Sequence, residues 1–258
     1  MRNFTIIVPI HNEEKILEEQ VRMLYSNLHS LNLKTAYEIL LVENGSTDKT
    51  YKIAKRLSEE VPHVNVLKLK KASYGGAYKE GIKHAKYNVV VQFDIDFWDT
   101  RFLKKSLDMM SRYDIVIGSK NLLYSKDERP FGRRFMSKFV EITIQSVFKV
   151  NITDTHGLKT AKRQAILPYI DQVRCKNHFF DTELLIRCYH SGYRFKELPV
   201  EVREIRETRF NFFNRSFAVL KELSQLVSLR WRDTFVANTV IKRPAHSFFV
   251  RKFITAFK

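Results

Sequence analysis

Two carboxylates one residue apart, Asp94 and Asp96, follow the apolar run Asn88–Phe93. A pair of hard oxygen donors just beyond a strand suits a Mg²⁺ or Mn²⁺ ion that bridges a diphosphate. Without a cation the two charges repel, so the spacing is costly unless it is used. The bland alternative is a helix N-cap, but Asp99 and Thr100 stand nearer the next helical pattern and suit that task better. Other polar groups gather behind other apolar runs. Pro9 stands near the end of Phe4–Ile10 with Asn12 and Glu13 just beyond it, and Glu43, Asn44, Gly45 and Asp48 follow Tyr37–Val42. Gly45 permits a tight turn, and Asp48 also reads as a helix cap. Lys120 follows Asp114–Gly118. His156 and His178 show no metal-site spacing, and Cys175 and Cys188 read as ordinary thiols.

The elements that must hold these groups alternate over the first 120 residues. Strand patterns at Phe4–Ile10, Tyr37–Val42, Val64–Leu69, Asn88–Phe93 and Asp114–Gly118 alternate with helical spacing at Glu13–Leu31, Asp48–Ser58, Gly76–Ala85 and Thr100–Ser111. Near-continuous apolar strands between helices predict an α/β fold with a parallel sheet covered on both faces. Ligands of such sheets bind beyond the carboxyl ends of the strands, where the candidate residues lie. Beyond residue 120 the pattern predicts a long amphipathic helix over Gly132–Lys149, with Phe135, Phe139 and Ile142 on one stripe. Further helices are predicted at Phe180–Tyr189 and Ser216–Trp231, with a strand at Phe195–Val202.

The chain has 258 residues, 44% of them hydrophobic, and a net charge of +17. Ordinary apolar content and 20 Phe exclude a disordered chain. Two cysteines exclude a disulfide framework and suggest reduced thiols in a cytosolic setting. No apolar run reaches the length of a spanning helix, and the first residues do not read as a signal peptide. The charge is uneven. Residues 1–119 hold 18 basic and 15 acidic residues, 120–163 hold 10 and 4, and 203–258 hold 12 and 4 along with nine of the 20 Phe. Cations mixed with Phe and Trp suit an anionic membrane surface, and the same mixture could serve RNA.

The segments around these residues resemble the signatures of the family 2 glycosyltransferases. Ile7-Val8-Pro9-Ile10-His11-Asn12-Glu13 is similar to the family's "VPxxNE". Val42-Glu43-Asn44-Gly45-Ser46-Thr47-Asp48-Lys49-Thr50 resembles its "VDDGSxDxT", and Asp94-Ile95-Asp96 resembles its DxD. Ile117–Lys120, Asp154–Lys159, Phe180–Leu184 and Leu198–Val200 with Arg206 resemble later segments in the same order. The match runs over residues 4–210 and is nearest to the branch of dolichol-phosphate mannose or glucose synthases. It implies a GT-A fold, a catalytic domain at 1–210 and a basic, aromatic membrane-surface appendage at 211–258.

The resemblance also implies roles. Pro9, Asn12, Glu13, Glu43, Asn44, Gly45, Asp48, Gly75, Asp94, Ile95 and Asp96 would bind the nucleotide sugar, with Asp94 and Asp96 holding the metal. Departures stand at Asn44 for a second Asp, Tyr74 for a Gly, and Trp98 where relatives carry a metal-supporting Gln or Glu. A polyprenyl phosphate acceptor is already anionic and needs cations, for which Lys120, Arg133, Arg134 and Arg206 are the candidates. Asp96, Asp181, Lys120 and Arg134 form the expected catalytic set. If the acceptor is instead a hydroxyl of a glycan, lipid-linked sugar or surface polymer, Asp181 is the candidate base; its bland reading is an N-cap. The expected setting is the cytoplasmic face of a membrane, held peripherally and with room for a membrane partner protein. No nucleic acid is expected, because carboxylates line the strand ends.

Overall fold

Seven strands build one sheet, and the burial of β1, β2, β4 and β5 explains why those segments read as continuous apolar runs. The computed structural model describes residues 2–70, 72–122, 125–127, 131–177, 179–202 and 212–231. The strands are β1 (Phe4–Ile10), β2 (Tyr37–Asn44), β3 (Val64–Leu69), β4 (Val89–Gln92), β5 (Ile115–Ser119), β7 (Lys159–Lys162) and β8 (Phe195–Pro199). They lie in the order β3-β2-β1-β4-β7-β5-β8. All neighbours are parallel except β7, which runs antiparallel to β4 and β5. A two-stranded ribbon pairs β6 (Lys126–Asp127) with β9 (Glu201–Val202).

The pleat sends alternate side chains into two cores. Ile6 and Val8 join the core that α1 (Leu17–Ser30), α2 (Thr50–Glu60) and α4 (Thr100–Met109) cover on one face. Ile7 joins the other core, to which α3 (Tyr74–His84), α5 (Phe131–Phe148), α6 (Arg163–Ile170), α7 (Phe180–His190) and α8 (Phe212–Trp231) contribute. The predicted helices and five parallel strands are present with shifted ends. The predicted strand Phe195–Val202 divides at Val200, because the chain leaves β5 there and Glu201 pairs with Lys126. Helix α8 lies in the predicted appendage, yet its Leu223 and Leu226 are buried in the same core as α5. Residues 203–211 and 232–258 lie outside the described residues.

Helix α5 is two-faced. Val140, Ile144 and Phe148 are buried, whereas Phe131, Phe135, Phe139 and Ile142 are 80%, 65%, 46% and 52% exposed. No helix among the described residues is long and apolar enough to cross a membrane.

Candidate active site

The loops after β1 and β2 are knitted together by their own side chains. Parallel pairing carries Ile10 opposite Glu43, so the two loops emerge side by side. Asn12 adopts a positive φ of 55°, and Gly45 one of 65°. The Asn12 carboxamide oxygen accepts from the Thr47 amide at 2.9 Å, and the Asn12 amide donates to Ser46 Oγ at 3.1 Å. Glu43 is buried and accepts from the Ser46 amide. Asn44 accepts from the Ser73 amide at 2.7 Å, which ties the β2 loop to the start of α3. Asp48 accepts from the Glu14 and Thr50 amides and so joins the two loops; Lys49, with no side-chain cap bond, is the N-cap of α2. Pro9 lies at the end of β1 and Glu13 is buried beside Thr50, whose hydroxyl accepts from the Glu13 amide at 2.7 Å. Gly75 lies in the first turn of α3, next to Tyr74. A Cβ there would meet the Phe180 ring at 2.6 Å and the Lys176 carbonyl at 2.7 Å, so its want of a side chain lets α3 close on α7.

Asp94 and Asp96 occupy a turn beyond β4 that is closed by paired backbone hydrogen bonds between Asp94 and Phe97, both 3.1 Å. Ile95 between them is buried. Burial, and then the neighbouring Asp96 charge, push the Asp94 carboxyl up to about 6. That crowding of acids is the arrangement a divalent cation relieves. Among the described residues no three His, Cys, Asp or Glu converge on one point. Two carboxylates nonetheless fit a small hard cation whose remaining ligands are phosphate oxygens and water. Trp98 supplies no ligand atom there; its indole donates to Gln20 Oε1 at 3.2 Å. Asp99 caps α4, accepting from the Arg101 and Phe102 amides, as its position predicts.

Asp181 lies in the first turn of α7 but caps nothing, since the N-cap is Phe179. Its carboxylate is 2% exposed. Oδ2 takes an ion pair from Lys159 Nζ at 3.1 Å and a hydrogen bond from Gln92 Nε2 at 2.9 Å. Gln92 also donates to the Tyr74 hydroxyl at 2.8 Å, and that hydroxyl donates to Asp94 Oδ1 at 3.4 Å. Lys159, Asp181, Gln92, Tyr74 and Asp94 thus form one continuous chain of polar contacts. Two of its buried oxygens, Gln92 Oε1 and Asp181 Oδ1, lack protein partners.

Lys120 is paired. Its Nζ lies 2.8 Å from Asp154 Oδ2, and Asp154 also accepts from the His156 amide at 2.9 Å. Burial raises the Asp154 carboxyl, but Lys120 and His156 together outweigh it and hold the pKa at about 2. Arg134 is exposed on α5, Arg133 lies on the same turn, and Arg206 and His178 fall outside the described residues. Sequence reasoning passed over Gln92, Tyr74, Lys159 and Asp154 as site residues. A polar Gln92 inside Asn88–Phe93 was the one local signal of a buried partner.

Residues 5–168 match the family described as Glycosyl transferase family 2, and the chain belongs to that family. It is a glycosyltransferase with a GT-A fold. The chain is 26% identical over 235 residues to glycosyltransferase AglD of Haloferax volcanii, covering 89% of this chain but 37% of that protein. It is 28% identical over 245 residues to dolichyl-phosphate beta-glucosyltransferase of Dictyostelium discoideum, covering 88% and 74% respectively. Among solved structures, glucosyl-3-phosphoglycerate synthase from Mycobacterium tuberculosis, in complex with Mn²⁺, UDP-glucose and phosphoglyceric acid, superposes with a TM-score of 0.63. It is 15% identical and covers 88% of this chain and 80% of its own.

Proposed function

We propose that this chain moves a hexosyl group from a nucleoside-diphosphate sugar, UDP-glucose in the first instance, to the phosphate of a polyprenyl lipid at a membrane surface. The observation that carries this reading is the closure of Asp181. A general base must reach the proton it removes. Asp181 is instead buried against Lys159 and Gln92, which favours an acceptor that arrives already anionic. A phosphate oxygen of the lipid attacks the anomeric carbon, the bond to the nucleoside diphosphate breaks, and configuration inverts. Asp94 and Asp96 would hold a Mg²⁺ or Mn²⁺ ion, which when bound supplies positive charge against the leaving diphosphate. The interlocked loops Asn12–Glu13 and Glu43–Asp48 would receive the nucleoside. Lys120 and the arginines Arg133, Arg134 and Arg206 would draw in the lipid phosphate.

The names of the relatives lean the same way: one is a dolichyl-phosphate beta-glucosyltransferase, and one solved neighbour holds Mn²⁺ and UDP-glucose. The exposed Phe131, Phe135, Phe139 and Ile142 stripe, with Arg134 and Lys138 beside it, suits contact with an anionic bilayer. The test is incubation with labelled UDP-glucose or GDP-mannose, short-chain polyprenyl phosphate and Mn²⁺. A lipid-extractable, acid-labile product is expected. Transfer only to a glycan hydroxyl, abolished by Asp181→Asn, would overturn the reading.

A further inference from the structure

We propose that Tyr74 is a positioning residue that fixes the Asp94 carboxylate for a divalent cation bound with nucleoside diphosphate. The proposal rests on the reading of Asp94 and Asp96 as metal ligands and deepens it. The resemblance to family 2 expects a glycine at position 74, and this chain places a phenol there.

The directions of the hydrogen bonds assign the work. The Gln92 amide nitrogen has two hydrogens, and both are used: one goes to Asp181 Oδ2 at 2.9 Å and one to the Tyr74 oxygen at 2.8 Å. The opposite amide orientation would set the Gln92 oxygen against the Asp181 carboxylate, so Lys159 and Asp181 fix the flip. Because the Tyr74 oxygen already accepts, its single hydrogen is left for Asp94 Oδ1, 3.4 Å away.

Tyr74 is itself anchored. It follows the α3 N-cap Ser73, whose hydroxyl accepts from the Gly76 amide and whose own amide donates to Asn44 Oδ1. The Gly75 amide donates to the Lys176 carbonyl at 3.0 Å, and the Phe180 ring closes on Gly75. The phenol is therefore held from the β2 loop on one side and from α7 on the other. A rigid donor to a ligand carboxylate limits its rotation, and loss of such a partner typically weakens metal binding about 10- to 100-fold.

The test is a Mn²⁺ titration of the full chain in the presence of UDP, read from the paramagnetic resonance signal of free Mn²⁺. Wild type, Tyr74→Phe, Gln92→Met, the double variant of these two and Asp94→Asn are compared, with melting temperatures taken without metal. Tyr74→Phe keeps the ring and removes the hydroxyl. It is expected to weaken Mn²⁺ binding about tenfold, with turnover returning toward wild type at saturating Mn²⁺. Gln92→Met removes the anchor, and its effect is expected to be less than additive with Tyr74→Phe, since both act on one chain of bonds. Mn²⁺ binding by Tyr74→Phe within twofold of wild type, while Asp94→Asn loses it, would refute the role of Tyr74 alone. Asp94→Asn binding as wild type does would refute the metal reading beneath it. If Tyr74→Phe does not fold, wild-type affinity in Gln92→Met overturns the proposal.

Discussion

Gln92 and Lys159 stand opposite each other across the antiparallel β4–β7 pair, and both donate to the same oxygen, Asp181 Oδ2. The one reversed strand of the sheet therefore delivers a buried cation to the centre of the site. A parallel strand entering from the other end would have brought its last residue there, not its first.

Removing Lys159 isolates a buried carboxylate. Lys159 and Asp181 have side chains 3% and 2% exposed, so neither has water to replace its partner. Lys159→Met is expected to destabilise the fold by about 3–5 kcal/mol, as loss of one member of a buried pair does. Adding Asp181→Asn removes the stranded charge and should recover part of the loss. Urea unfolding of the two single variants and the double variant reads the coupling directly. Independent, additive effects would show that the two side chains do not share one charge balance.

Asp154 gives the acid behaviour. Its folded pKa, about 2, lies below its ordinary 3.8, because Lys120 and His156 together overcome the effect of burial. The sign follows: stability from this group is complete above about pH 4 and is lost as pH falls toward about 2. The shift corresponds to roughly 2 kcal/mol. Asp154→Asn should lower stability at pH 7 and flatten its fall between pH 4 and 2. Melting temperatures measured across that interval would contradict the assignment if wild type and variant fell in parallel.

Strand ends were the legible part of the sequence. Phe4–Ile10, Tyr37–Val42 and Asn88–Phe93 announce themselves because parallel strands are buried on both faces. The groups that follow them land at one edge of the sheet. Strand β7 was not legible, since Lys159–Lys162 is four residues long with a lysine at each end. Its buried lysine looks like surface until Asp181, 22 positions later, is brought to it by the fold. Asp181 itself read as an N-cap or a base because helix position is local information and its partner is not. Tyr74 read only as a departure from a glycine pattern, because its two partners arrive from another strand and the turn beyond it.

Gly157 is required by distance alone. A Cβ there would sit 1.9 Å from the Gly118 carbonyl oxygen, a backbone atom that no side-chain rotation can move. The two segments carry Lys120 and Asp154 at this point. Gly157→Ala is expected to cost about 3 kcal/mol or more, in the range of strongly overpacked positions. It should also separate the Lys120–Asp154 pair. Calorimetry that finds Gly157→Ala as stable as wild type would mean that β5 and the 154–159 loop lie further apart than described.

The stripe on α5 gives the last prediction, and its logic is one of contrast. Val140, Ile144 and Phe148 face inward and hold the helix on the sheet, so the outward Phe131, Phe135 and Phe139 are not needed for folding. Substituting exposed positions typically changes stability by about 0.5 kcal/mol or less. Three phenylalanines at i, i+4 and i+8 nevertheless form one continuous apolar ridge, flanked by Arg134 and by Lys138, which lies 2.9 Å from Glu141. Such a ridge gains free energy only when something apolar covers it, and the basic residues around it favour an anionic bilayer. The triple variant Phe131→Ser, Phe135→Ser, Phe139→Ser should therefore melt within about 2 °C of wild type. Its affinity for vesicles containing anionic lipid should fall at least about tenfold, equivalent to about 1.4 kcal/mol. Transfer to a water-soluble short-chain polyprenyl phosphate should persist, while transfer to lipid embedded in vesicles should drop. Unchanged sedimentation with vesicles would refute a membrane role for this ridge.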